Sequence, residues 1–325
     1  MKIFILTIGI FLLFIGMISI PCSAINLDKN IIIPTNRGDT YYVGGSGIGN
    51  YTTIQSAIDD ANNGDTIFVY DESSPYHENI IINKSIFLIG ENKDSTVIDG
   101  NGIGNVIYVN TEWIYIRKFT IKNGGLDYPS GGIYISSTYG MISNNNIENN
   151  FYGIIMFHSD QIYIYNNNII NNNQCGIYLE GSPNNYISSN LIKNQPYNGI
   201  GLFNSSNDNT IYNNTILNNK YSGIRIINCQ SNYMYKNTIS KNLVGVRIEF
   251  SSNNTIMNNN FIKNILREAY HFGNKLIGHK NNWSGNYWNR PRLLPKPIFG
   301  RTGLFFMFIP CINFDWSPAK APYNI

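Results

Sequence analysis

The chain has 325 residues, a net charge of +3 and only 13% charged residues, while aromatics reach 14% and include 23 Tyr. Its 53 Asn exclude a helical bundle, because Asn disfavours helix interiors, and its 43% hydrophobic content excludes a disordered chain. No Lys/Arg cluster or aromatic-plus-basic stripe marks a nucleic-acid partner, so composition leaves β-structure with many turns.

Residues 1–24 read as a signal peptide. Lys2 gives the positive start, residues 3–20 are apolar, and Cys22-Ser23-Ala24 has the small residues signal peptidase accepts. The other reading is an uncleaved N-terminal anchor, since an apolar run of about 18 residues sits at the lower limit for a span. Either one places the rest of the chain outside the cytoplasm, at the cell surface, with no membrane contact except through this segment. Loss of residues 1–24 leaves Cys175, Cys229 and Cys311, an odd count without regular spacing, which is no disulfide framework. With no CxxC and no His-rich tract, neither a metal site nor a cofactor is expected.

Residues 25–40 form a flexible lead and 41–77 an N-terminal cap. In the cap, residues 53–61 carry apolar positions at helical spacing, Asn62-Asn63-Gly64-Asp65 makes a turn, and a strand at 66–70 follows. The helix closes the N-terminal mouth of what comes next.

What comes next is a repeat. Gly-Ile or Gly-Val recurs at Gly132, Gly153, Gly176, Gly199, Gly223 and Gly245, at intervals of 21, 23, 23, 24 and 22. In step with it run Ile147, Ile169, Leu191, Ile216, Ile239 and Phe261. An Asn stands three residues after each, from Asn150 to Asn264. Two residues before each stands Asn145, Asn167, Ser189, Asn214, Asn237 or Asn259. After every Gly, the first and third residues are aliphatic while the second varies, which is the period-two pattern of a strand with one buried face. A unit of about 22 residues with two or three short strands is one coil of a parallel β-helix, right-handed, its coils stacked about 4.8 Å apart. Nine or ten coils are expected over residues 78–288. Asn suits the bends because it tolerates left-handed φ/ψ, and a bend repeated on each coil lets amides form ladders.

Residues 289–325 lose the period and are rich in Pro and aromatics, with Trp316 near the end. They read as an irregular C-terminal strap along the rod or over its last coil.

The segment TIQSAIDDANNGDTIFVY with PYHENIIINKSIFLIGENKDSTVIDG resembles the N-terminal portion of secreted right-handed β-helix proteins. GIYLEGSPNNYISSNLIKN, GIRIINCQSNYMYKNTISKN and the tail NNWSGNYW resemble the NosD-type β-helix repeat, as found on surfaces of methanogenic archaea. The resemblance implies the pectin-lyase-like superfold and covers nearly the whole chain after residue 24. It also implies a role in maturing the copper site of nitrous oxide reductase, which would need clustered His, Met or Cys. His77, His158, His271 and His279 are instead scattered. Tyr76-His77-Glu78 is similar to the Tyr-x-Glu signature of pectin methylesterases, but no later motifs of that family, of polygalacturonases or of lyases follow. The tightest polar group is His158, Asp160 and Glu180 on neighbouring coils, where a polysaccharide-acting lyase or hydrolase would place its chemistry. No complete catalytic motif is present, so no catalytic residue is assigned.

Residues two and four after each Gly point outward. Tyr134, Phe157, Tyr178 and Phe203 form a row followed by Arg225 and Arg247, which suits sugar rings against aromatic faces and acidic groups against Arg. The alternative is that the C-terminal strap covers this row. The sequence thus leads to an exported, non-catalytic β-helix protein with a structural, adhesive or carbohydrate-binding role, its partner an envelope polysaccharide or a surface protein.

Overall fold

The computed structural model describes residues 38–273, 280–304 and 307–325. Residues 1–37, with the expected signal peptide and most of the lead, and His279 lie outside the described residues.

The chain winds as a right-handed parallel β-helix of about eleven coils. Three parallel ladders run its length. Face 1 begins at Thr40–Val43 and Thr66–Val69 and ends at Asn282–Ser284 and Met307–Asp315. Face 2 runs from Ile80–Ile82 through Gly131–Ile135 to Lys296–Leu304, and face 3 from Tyr76–His77 to Tyr287–Trp288. The count exceeds the nine or ten expected because the ladder already starts at Thr40 and continues past Trp288.

The core is built by columns in register. On face 2, Ile133, Ile154, Ile177, Ile200, Ile224 and Val246 stack inward, as do Ile135, Met156, Leu179, Leu202, Ile226 and Ile248, all fully buried. Face 3 adds Ile147, Ile169, Ile192, Ile216, Ile239 and Phe261. Each such side chain contributes about 1.5–3 kcal/mol of burial. The Gly column borders this core. A Cβ at Gly199 would lie 2.5 Å from Ile216 Cγ2 and 2.7 Å from the Gly223 carbonyl, so no side chain fits.

The corners explain the Asn content. Each corner of face 3 places one residue at positive φ, such as Asn144, Asn166, Asn213 and Asn258 at 54–56°, and buries the next. The buried amides form three ladders, one of them Asn185, Asn209, Asn232, Asn254, Asn281 at the corner before face 1, and the other two at the corners of face 3. Of these two, one runs Asn145, Asn167, Asn190, Asn214, Asn237, Asn259, Asn286; the other Asn150, Asn172, Gln195, Asn219, Asn242, Asn264. In every step the backbone N–H of one coil donates to the side-chain carbonyl of the next, satisfying groups that would be costly to bury unpaired.

The periodic reading slips by one residue in a single coil. There Ile192, not Leu191, is the core residue, and Asn190 and Gln195 are the rungs. Ser189 and Asn194 are the positive-φ residues just before them, at 54° and 64°.

The N-terminal mouth is closed by helix Ile54–Asp60, which buries Ile54, Ala57 and Ile58. Its N-cap Thr53 accepts from Ser56 N–H, and the Glu78 carboxylate accepts from Ile54 and Gln55 N–H at 2.8 and 2.9 Å. At the other end, Lys296–Leu304 and Met307–Asp315 form an antiparallel hairpin, where an irregular strap was expected. It pairs in parallel with both face 2, at His271–Gly300, and face 1, at Trp283–Asp315. The open edges of the last coil supply the hydrogen-bonding register that sequence period alone does not show.

Candidate functional site

Face 2 carries its distinctive chemistry outside. Tyr108, Tyr134, Ile155, Tyr178, Gly201, Arg225, Arg247 and Tyr270 occupy one outward column in exact pairing from coil to coil. Where the column holds Ile155 or Gly201, the ring two residues later fills in. Phe157 packs against Tyr134 at 5.6 Å and Tyr178 at 6.0 Å. Phe203 lies over Gly201, where a Cβ would meet its ring at 2.4 Å, and stacks on Tyr178 at 4.9 Å. With Tyr108 at 5.1 Å from Tyr134, five rings form one continuous stripe, Tyr108–Tyr134–Phe157–Tyr178–Phe203.

Beneath the stripe, Tyr152, Ile155 and Cys175 form a small buried cluster outside the main core. Tyr128 leans over from the preceding loop, edge-on to Tyr152 at 6.3 Å and Phe157 at 6.4 Å. The C-terminal tail does not cover the stripe among the described residues. Its hydrogen bonds fall at the last coils, as in Tyr323 to Asn258 and Asn260 and Ala319 to Asn286.

Two arginines continue the column, but neither stands alone. Arg225 Nε is 2.8 Å and Arg247 Nη2 2.6 Å from the two oxygens of Glu249, a bridge that holds both guanidiniums in place. Arg247 also donates to Tyr221 OH at 2.5 Å, and both lie 5.3 Å from the Tyr221 ring centroid. The group keeps one net positive charge and rigid, outward-facing guanidinium edges. Sequence reasoning missed Tyr108, Tyr128, Tyr221 and the bridging role of Glu249. Tyr108 was findable from the alternation Ile107-Tyr108-Val109, whereas the others depend on contacts between coils.

In the polar group His158, Asp160 and Glu180, each carboxylate accepts hydrogen bonds from neighbouring side chains. Glu180 accepts from Tyr178 OH at 2.5 Å and Asn204 Nδ2 at 3.0 Å. Asp160 accepts from Asn184 and Gln161, and the His158 ring packs over Gly181. The Tyr-x-Glu match is scaffold as well: Glu78 caps the helix and Tyr76 OH donates to the Tyr70 carbonyl at 2.7 Å.

Copper does not fit the described residues. Among them no group of three His, Cys, Asp or Glu converges. Met156 and Met234 are core residues, while Met141 and Met257 accept from Tyr165 and Tyr233 hydroxyls on well-separated coils. Cys175 and Cys229 are buried free thiols.

Burial pushes the phenols of Tyr152 and Tyr178 well above their ordinary range, and at Tyr178 the hydrogen bond to Glu180 adds to it. Burial likewise raises Tyr115 to about 12 and the Cys229 thiol to about 11. The folded chain therefore holds these protons longer than the unfolded one. Their contribution is whole below the unfolded values, 9.0 for a thiol and 10.0 for a phenol, and is lost as pH rises through the folded ones. The urea midpoint is expected to hold steady to about pH 8.5 and fall between about pH 9 and 12; a flat profile there would contradict these burials.

The fold is shared with proteins of several kinds. XylC, solved with xylose, superposes with a TM-score of 0.64 at 12% identity, covering 86% of this chain and 73% of that one. Pectate lyase Pel9A gives 0.52 at 16% identity, covering 72% of this chain and 74% of that one. The full-length tailspike protein 2 of an Escherichia coli O157:H7 bacteriophage gives 0.57 at 15%, covering 82% of this chain and 39% of that one. At these identities the likeness is one of fold alone. No curated protein matches the chain. Residues 91–293, more than half of the chain, match the family described as periplasmic copper-binding protein (NosD).

Proposed function

The chain belongs to the NosD family, and from that premise we propose that it is an exported, non-catalytic protein that holds an envelope polysaccharide along face 2. The observation that carries the reading is the five-ring stripe from Tyr108 to Phe203, followed by the Arg225–Glu249–Arg247 bridge. Ring edges and faces spaced one coil apart meet successive sugars of an extended chain, and guanidinium edges meet acidic substituents. The candidate carboxylates Asp160 and Glu180 are both engaged by neighbouring side chains, which supports binding without cleavage. Export rests on residues 1–24, and among the described residues no helix is long and apolar enough to cross a membrane.

The test is a glycan array and polysaccharide pull-down with the full chain and with Tyr178→Ala/Phe203→Ala, assaying reducing ends in the same wells. Loss of two rings at about 0.5–1.5 kcal/mol each weakens binding roughly 5- to 150-fold, with no reducing ends released. Release of new ends would favour a polysaccharide-acting enzyme. Binding of envelope protein but not glycan would replace the polysaccharide by a protein partner.

A further inference from the structure

A cavity of about 430 Å³ lies at the C-terminal end of the solenoid, between the strands Arg267–Gly273 and Lys296–Leu304. That volume falls in the range of small-molecule sites, about 300–1,000 Å³. Asn264, Arg267, Glu268, Trp288 and Lys296 stand in its walls.

The cavity arises where one amide ladder runs out. Asn264, the last rung, donates to the Glu268 carboxylate instead of to another amide. Lys296 lies 5.9 Å from the Trp288 ring centroid and forms no ion pair among the described residues. Burial lowers the Lys296 ammonium, and Arg292 and Arg290 push it the same way against Glu268. Burial raises the Glu268 carboxyl. Arg292 Nε is itself buried without a hydrogen-bond partner. Two cations, Arg267 and Lys296, thus stand in the walls with a single carboxyl, Glu268, while Arg290 and Arg292 add positive charge near Lys296, and the local field calls for an anion.

Shape narrows the class. Leu266, Pro297 and Phe299 give an apolar wall for the carbon face of a ring, while the Glu268 carboxyl offers a polar partner for hydroxyls. A dianion would meet repulsion from Glu268, whereas a single carboxylate can share the site with it. We propose that this cavity binds a carboxylated sugar, a hexuronic acid or its short oligomer. The assignment rests on the cavity alone and not on the aromatic stripe.

Titration calorimetry of the full chain with glucuronate and galacturonate, against glucose and inorganic phosphate, tests it. At least one uronate should bind, with glucose and phosphate weaker by about tenfold or more. Lys296→Met should weaken the uronate by a similar factor, Glu268→Gln should retain it, and Tyr178→Ala/Phe203→Ala should leave it unchanged. If Lys296→Met fails to fold by circular dichroism, Arg267→Gln, on an exposed side chain, takes its place. The proposal is overturned if no uronate binds, if glucose or phosphate binds as tightly, if the cation variant binds like the parent, or if the stripe variant alone loses the uronate.

Discussion

Asp315→Ala is expected to unfasten the C-terminal coils. The Asp315 carboxylate is fully buried and closes the longest amide ladder. Its Oδ2 accepts from Asn286 N–H at 2.9 Å, Asn286 Nδ2 at 3.1 Å and Trp288 Nε1 at 2.9 Å. Its Oδ1 accepts from Gly285 N–H at 3.1 Å and Ser317 N–H at 3.2 Å. A carboxylate suits the last rung because nothing follows that would need a donor. Truncation leaves five donors without their acceptor, at a cost of about 3–5 kcal/mol. Because a solenoid is stabilised coil by coil, the loss falls first on its end. Trypsin should then cut after Arg301 while hydrogen exchange in the coils before Gly199 stays protected. A loss under about 1 kcal/mol with the tail still protected would show that the hairpin holds without the carboxylate.

Asn214→Asp should be as damaging in the middle of the rod. Asn214 Oδ1 accepts from Asn190 N–H and Nδ2, both at 3.0 Å, and its Nδ2 donates to the Ile187 carbonyl at 2.8 Å and Asn237 Oδ1 at 3.0 Å. The carboxylate would set an oxygen against two acceptors and leave a charge buried without a counter-ion. The expected cost is about 3–5 kcal/mol at pH 7. Burial raises the folded pKa of the new carboxyl above its unfolded value. Its stability deficit should therefore shrink as pH falls toward about 4, where the protonated form donates one hydrogen bond. Asn218→Asp, at an exposed amide whose Nδ2 donates to Asn194 Oδ1, is the control and should change stability by about 0.5 kcal/mol or less. Equal effects at the two positions would mean that the ladder is not what the buried Asn residues are for.

These two residues mark what the sequence does and does not disclose. The Gly and Ile columns were legible because burial imposes period two along each strand and one position per coil across them. The amide ladder was legible as a column, but not its divided labour, in which one Asn bends the chain and the next is buried. That division accounts for the slip at Ser189-Asn190-Leu191-Ile192, where two neighbouring residues each satisfy a loose pattern. Asp315 lies in an aperiodic tail, 29 residues after the Asn286 it caps, so no repeat points to it. On face 2, the aromatic residues were legible from outward parity. The way Phe157 and Phe203 close the gaps at Ile155 and Gly201 was not, since it depends on ring packing between coils. The tie between Arg225 and Arg247 through Glu249 likewise needs the register that brings residues 24 apart together.

The most direct measurement of the central claim is hydroxyl-radical footprinting of the full chain with and without a bound polysaccharide. Tyr163–Tyr186 and Tyr212–Tyr235, stacked at 4.7 and 4.4 Å on face 1, serve as internal references. The account predicts that Tyr108, Tyr134, Phe157, Tyr178 and Phe203 lose reactivity on binding while the face 1 pairs keep theirs. Protection confined to face 1, or spread equally over both, would contradict a binding site on the aromatic stripe.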